Sequence, residues 1–293
     1  MKTRIVIIAL AMCVNVLSAN AQTLLQWDLT PGLAYDVERI TMQKQTVAIQ
    51  GKPSTEERKS FWRVRLHSLE RRGNDFLVRA TLSDVRHHLI GVAKDEVLDA
   101  KLDEKMKGAI FTLRVTPAGR ILEMTGYEDL LTRFSDGKKT TTNSARTAFS
   151  AAMLHDIFAD VFGPLPDKAI KTGDFWEREI VEAIPHFGRL VGKVTYTYAN
   201  EGENIARIAT TIASKYELPK NESAVVFRVV QGTIESERSN GSLIFNRKAG
   251  HISRQEQTTA LTGKLVIEAA NQRQTIEFSS INESIITVAS AKK

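Results

Sequence analysis

The stretch Phe61-Trp62-Arg63-Val64-Arg65-Leu66-His67 alternates apolar and polar side chains with a period of two. Successive side chains of a strand point to opposite faces, so Trp62, Val64 and Leu66 fall on one side and Arg63, Arg65 and His67 on the other. That is the pattern of a half-buried β-strand. Outward from it, Phe76, Val78, Ala80 and Leu82 repeat the pattern, as do Ala109, Phe111, Leu113 and Val115. Gly73-Asn74 and Pro117-Ala118-Gly119 supply turns between these runs. Connections this short join antiparallel strands, because a parallel crossover needs a dozen residues or more.

The period changes after Thr125. Tyr127, Leu130, Leu131 and Phe134 fit one helical face that Ser135-Asp136-Gly137 ends, and Ala148, Phe149, Ala152, Ile157, Val161 and Phe162 form a second apolar stripe. Asn143 or Ser144 can cap this second helix, and Gly163-Pro164-Leu165-Pro166 stops it. Its polar side is not basic, so the stripe reads as core packing and not as a membrane-surface helix. Glu96–Lys107 is charge-rich, with Leu98, Leu102 and Met106 spaced by four, and fits either a short helix or an exposed loop. From Gly173 strands return: Val194, Tyr196 and Tyr198 alternate with polar neighbours, and Glu201-Gly202-Glu203-Asn204 turns into Ile205–Ala213. Further strands are expected at 225–235, 242–247, 251–260, 264–270, 273–279 and 284–288, with a frayed tail from Ala289 to Lys293.

Lys2 and Arg4 precede an apolar run from Ile5 to Leu17, and Ser18-Ala19-Asn20-Ala21 offers a small-residue cleavage site. The run is shorter than the roughly 20 residues that span a bilayer core. Residues 1–21 are therefore read as a cleavable signal peptide, removed after Ala21, which predicts a periplasmic or secreted protein with no transmembrane segment after cleavage. The chain's one cysteine, Cys13, lies inside the run. Its removal excludes disulfides, thiolate nucleophiles and cysteine metal ligands. Loss of Lys2 and Arg4 lowers the net charge from +6 to +4. The remainder is spread over both halves, so nucleic-acid binding has no support.

Two phrases recur. Thr30-Pro31-Gly32-Leu33-Ala34-Tyr35 and Lys171-Thr172-Gly173-Asp174-Phe175-Trp176 both place an aromatic residue three after a turn glycine. Gly108-Ala109-Ile110-Phe111 with Gly119-Arg120-Ile121 is echoed by Gly241-Ser242-Leu243-Ile244-Phe245 with Gly250-His251-Ile252. This internal duplication predicts a mainly β (α+β) fold: two related antiparallel β-sheet lobes, with curved half-barrels as one form they can take, and a helical segment between them. The expected division is 22–126 for the N-terminal lobe, 127–168 for the helical connector and 169–293 for the C-terminal lobe. Turn glycines before strands also recur by chance in a β-rich chain.

Several of these phrases carry a resemblance. Pro31-Gly32-Leu33-Ala34-Tyr35, Val115-Thr116-Pro117-Ala118-Gly119-Arg120-Ile121, Thr125-Gly126, and Phe162-Gly163-Pro164-Leu165-Pro166-Asp167-Lys168 running into Thr172-Gly173-Asp174-Phe175-Trp176 resemble a family of secreted bacterial proteins of unknown function. The resemblance implies an exported β-rich protein and transfers no catalytic residue.

Candidate chemistry is sparse. His87 and His88 would face opposite ways on a strand, and no nearby His or Cys completes a metal-ligand spacing; Asp84 could join them only in a turn. Asp156 and Asp160, beside His155, share a helix face and read as solvated surface. Asn240-Gly241-Ser242 reads as a turn at the start of a strand, and no Gly-x-Ser-x-Gly elbow, phosphate loop or dinucleotide fingerprint occurs. Arg58, Lys59, Arg63, Arg65, Arg71 and Arg72 around Phe61-Trp62 read as a solvated cationic face diluted by Glu56, Glu57 and Glu70. No catalytic, cofactor-binding or metal residue is assigned, and no cofactor is implied. The leading expectation is a non-enzymatic cell-envelope protein that binds a hydrophobic ligand or lipid, or an envelope protein partner. The alternative is a hydrolase acting on an envelope polymer, which predicts a cleft where carboxylates converge.

Overall fold

The computed structural model describes residues 22–90, 103–135, 146, 150–184, 187–200, 202–219, 227–269 and 272–291. Among them are eleven strands in one antiparallel sheet. They are β1 (Ala34–Ile49), β2 (Lys52–Arg72), β3 (Asp75–Ile90), β4 (Ile110–Val115), β5 (Ile121–Thr125), β6 (Phe175–Ile184), β7 (Gly188–Asn200), β8 (Ile205–Glu217), β9 (Arg228–Asn246), β10 (His251–Ala269) and β11 (Gln272–Ser290). Two helices, α1 (Tyr127–Ser135) and α2 (Ala151–Phe162), interrupt the strands, and 103–106 make a helical turn. The fold is mainly β and antiparallel, as the period-two runs require.

The strand order is β5-β4-β3-β2-β1-β11-β10-β9-β8-β7-β6. Each half of the chain is thus a meander of neighbouring strands. The two meanders meet where β1 pairs along its length with β11, from Tyr35 opposite Ser290 to Ile49 opposite Ile276. The expected fraying at 289 is corrected by this seam: Ala289 and Ser290 are paired, and the Ala291 amide donates to the Ala34 carbonyl at 2.8 Å. The three pairs of short strands expected after 225 are also corrected. Each pair is one 19-residue strand, β9, β10 or β11. Asn240-Gly241-Ser242 lies inside β9 and is not a turn.

The alternation of β2 holds as read: Trp62, Val64 and Leu66 are buried, while Arg63 and Arg65 are exposed. Buried side chains of β2, β3 and β4 share one apolar cluster with those of β7, β8 and β9, around α2, α1 and the N-terminal segment Leu25-Gln26-Trp27-Asp28-Leu29. The sheet therefore curls, and α2 lies inside the curl. Ser150 caps α2, its side chain accepting from the Met153 amide at 3.1 Å; Asn143 and Ser144, the expected caps, lie outside the described residues. Gly163, at φ 64°, ends the helix as anticipated. Ala148 and Phe149, most of the 96–107 stretch and the signal peptide lie outside the described residues.

One end of the curl is closed by chain segments far apart in sequence. The Trp27 indole donates to the Phe162 carbonyl at 2.7 Å, the Trp27 amide to Pro117 at 2.8 Å, and the Asp28 amide to Gly250 at 2.6 Å. Thr23 bridges Ile170, and the Trp176 indole donates to the Pro164 carbonyl at 2.7 Å. Glycine is required where these segments touch. A Cβ on Gly250, which has φ 62°, would stand 2.6 Å from the Asp28 Cβ, and one on Gly119 would stand 2.8 Å from the Phe162 carbonyl.

The two echoed turns are built alike. The Gly32 amide donates to Ser68 and the Ser68 amide to Leu33; the Gly173 amide donates to Tyr198 and the Tyr198 amide to Asp174. Both glycines have φ near 90°, and each turn carries the same additional bond, Leu33 to Thr30 and Asp174 to Lys171.

Candidate functional site

Side chains of one parity line the concave face, and their register shows how that face is divided. On β11 the sequence is Ile276, Phe278, Ser280, Asn282, Ser284, Ile286, Val288. Ile286 and Val288 belong to the closed-end core, and Ile276 and Phe278 to a second core with Leu190, Ile234, Leu261 and Leu265. Between the two cores the face is polar. Gln257 on β10 is opposite Ser284, which is opposite Thr41 on β1; Thr259 is opposite Asn282, which is opposite Gln43. Strands of 19 residues are long enough to carry apolar positions at both ends and a polar belt in the middle.

Over this belt lies a groove of about 750 Å³. Its floor is Arg39, Gln255, Gln257, Thr259, Asn282 and Ser284; one wall is α2 with Met153, Asp156, Ile157 and Asp160; the other is β6 to β8 with Arg178, Ile180, Glu182, Val194, Tyr196 and Ile212. The volume is in the range of small-molecule sites. Three buried polar atoms of the floor, Arg39 Nε, Gln255 Oε1 and Asn282 Oδ1, have no hydrogen-bond partner. Buried polar groups are nearly always paired, because an unpaired one costs about 1–3 kcal/mol. Arg39 and Gln255 lie in one row, both beside Ile286.

Arg39 reaches across to α2 and pairs with Asp160 at 3.1 Å. The groove is open enough to leave 41% of the Asp160 side chain exposed, yet its walls limit hydration. Desolvation pushes this carboxyl up from its ordinary value, Arg39 and Arg178 pull it down, and the Asp156 charge adds to the rise. Glu182 is pushed up as well, by desolvation and then by the Asp160 charge. Burial raises the Tyr196 phenol to about 12, so it stays a neutral donor, and its ring stacks on Trp176 with centroids 5.7 Å apart.

The residues weighed from sequence fall as follows. Asp156 and Asp160 do share a face, which lines the groove; Asp156 is exposed, and Asp160 is engaged by Arg39. His155 is at 3.4 Å from Asp156. His87 Nδ1 lies 2.5 Å from Asp103 Oδ1, its amide donates to Asp103 Oδ2 at 2.8 Å, and its ring stands edge-on to Trp62. His88 is exposed, and Asp84 pairs with Arg86 at 3.1 Å. No group of three metal-ligating side chains occurs among the described residues. The basic face of β2 is neutralised across the strands, Arg63 by Glu38 at 2.6 Å and Arg65 by Asp36 at 2.8 Å.

Sequence reasoning missed Arg39, Gln255, Asn282, Arg178 and Glu182. A signal existed: Gln255, Gln257 and Thr259 keep the parity of Leu261, Leu265 and Ile267, so they are polar residues on a buried phase.

Residues 92–252 match a family of unknown function, DUF6263, and the chain belongs to that family. No curated protein matches. Solved structures give distant likenesses. A lipovitellin structure concerned with lipid–protein interactions is 12% identical, with a TM-score of 0.43 over 91% of this chain, which spans 26% of that one. Neisserial surface protein A is 7% identical, with a TM-score of 0.20 over 87% of this chain and 97% of that one. An outer membrane channel from Pseudomonas putida F1 is 9% identical, with a TM-score of 0.21 over 90% and 98%. At these scores none of them carries an argument about this chain's function. No helix among the described residues is long and apolar enough to cross a membrane.

Proposed function

We propose that this member of a family of unknown function is a non-enzymatic envelope protein that binds an amphipathic ligand, a lipid in its simplest form, in the groove between α2 and the concave sheet. The carrying observation is the set of unpartnered buried atoms Arg39 Nε, Gln255 Oε1 and Asn282 Oδ1 on the groove floor. One donor and two acceptors held off from the solvent suit a ligand's polar group. Met153, Ile157, Ile180, Val194 and Ile212 on the walls suit its apolar part. Export through a signal peptide ending at Ala21 belongs to the same reading, as does descent of the two halves from one duplicated unit. The matching hydrogen bonds of the Gly32 and Gly173 turns support that descent.

Native mass spectrometry of the chain purified from its own cells, followed by solvent extraction, tests the binding. The expected result is a bound mass near one per chain that is lost in Gln255→Leu and Asn282→Leu. An unliganded chain, or a bound mass that both variants retain, overturns the reading.

One observation favours a second reading, a hydrolase of envelope polymers: Asp160 and Glu182 are both raised within one cleft, and the Asp160 charge contributes to the rise of Glu182. Asp160→Asn and Glu182→Gln would then abolish release of fragments from envelope glycan while leaving glycan binding in place.

A further inference from the structure

The sheet is unclosed, and its two edges differ. The β5 edge has five residues and packs beside α2. The β6 edge has ten residues and no strand beyond it among the described residues. Phe175 at 66% and Val181 at 64% are the most exposed large apolar side chains among the described residues, and both are on β6. Glu177, Arg178, Glu179 and Glu182 on the same strand are exposed too. A long free edge that exposes apolar residues is a template for another strand. The Tyr198 amide donates to the Asp174 carbonyl. Continuing that alternation leaves the backbone amides and carbonyls of Glu177, Glu179 and Val181 facing outward.

Charge decides which strand fits. Arg178 and Glu182 have the same parity and face the same side of the sheet. Neither makes a hydrogen bond or a close ion pair among the described residues, although both feel the Asp160 charge across the groove. In an antiparallel pairing of β6 with itself centred on Ile180, residue numbers facing each other sum to a constant. Each Arg178 then lies opposite a Glu182, the two Ile180 side chains meet, each Val181 faces a Glu179, and the two Val181 become diagonal neighbours. Centring on Arg178 or on Glu179 sets like charges against each other. Centring on Val181 forms no ion pair.

We propose that two copies of this chain associate edge to edge through β6, in the antiparallel register centred on Ile180, so that their two sheets become one. Arg178 and Glu182 also line the groove. The association would therefore add the partner's charges at the groove mouth.

Sedimentation velocity of the full chain over a concentration series, with the charge exchanges R178E and E182R, tests this. The native chain is expected to dimerise. Each variant alone, checked as folded by circular dichroism, sets like charges opposite each other and should dimerise at least roughly tenfold more weakly. An equimolar mixture of the two variants restores both opposite-charge pairs and should dimerise as the native chain does. Val181→Pro removes an outward-facing amide without touching the β6–β7 ladder, and should also give a monomer. A native chain that stays monomeric at the highest workable concentration overturns the proposal. So does a dimer that survives both single exchanges, or a mixture that fails to recover. Ligand binding in the groove is read separately, by mass spectrometry of the native chain, so a failure of either reading is told apart from a failure of the other.

Discussion

The closed end of the curl and the groove beside it are built from the same strands, yet they use polar groups in opposite ways. At the closed end the polar tips that tie distant segments together are paired. The Trp27 indole, the Trp176 indole and the Ser68 hydroxyl each donate to a carbonyl on a distant segment, and the Tyr35 hydroxyl bonds the Asp28 carbonyl. A few residues along β10 and β11, the groove floor leaves Gln255 Oε1 and Asn282 Oδ1 unpaired. The difference teaches where stability was favoured and where it was given up. Matched polar contacts over an apolar cluster hold a fold, whereas unmatched ones destabilise it and persist where they serve recognition.

The largest effect that could break this contrast is at the closed end. Phe162 is fully buried beside Trp27, with ring centroids 5.2 Å apart. Phe162→Ala should cost about 3–5 kcal/mol in urea unfolding; a loss below 1 kcal/mol would show that this end does not hold the fold. Gly250→Ala comes next. The added Cβ meets Asp28 and the residue must keep a positive φ, so a cost of roughly 1–3 kcal/mol is expected in thermal unfolding.

On the groove floor the sign reverses. Asn282→Leu removes a buried Oδ1 that has no partner and puts an apolar side chain in its place, and should be neutral or stabilising by up to about 1 kcal/mol in urea. Destabilisation instead would make the belt a structural element of the sheet. The smallest effect concerns pH. Desolvation raises the folded-state pKa of Asp160, so between its unfolded and folded values the native state binds more protons. Its contribution is full below the ordinary carboxylate range and is lost as pH rises through the raised value. Melting curves across that window should show the native chain losing more stability with rising pH than Asp160→Asn does. Parallel curves would place Asp160 in ordinary water.

Much of this was legible in the chain. The turn glycines Gly32, Gly119 and Gly250 and the helix stop Gly163-Pro164 are legible in the sequence, and the structure gathers them at the closed end. Turn chemistry is local, so it can be read locally. The mid-strand polar residues were misread for the same reason. Asn240-Gly241-Ser242 and the gaps expected at 261–263 and 280–283 look like interruptions until the partner strands show that pairing runs straight through them. The pairing of Asp160 with Arg39 is invisible in the sequence, because a helix face shows its own residues and not the sheet opposite.

Alternation, turn glycines and the change of period after Thr125 determined by themselves that this chain makes antiparallel strands interrupted by short helices. Those preferences act over a few residues. Only the tertiary structure decided that β1 and β11, at opposite ends of the described chain, form the seam of a single sheet, that α2 sits inside its curl, and that Arg39, Asp160, Gln255 and Asn282 share one groove. The β1–β11 seam and the Arg39–Asp160 pair join residues more than a hundred positions apart, and they follow from burying two apolar cores on one curved face, which no local pattern specifies.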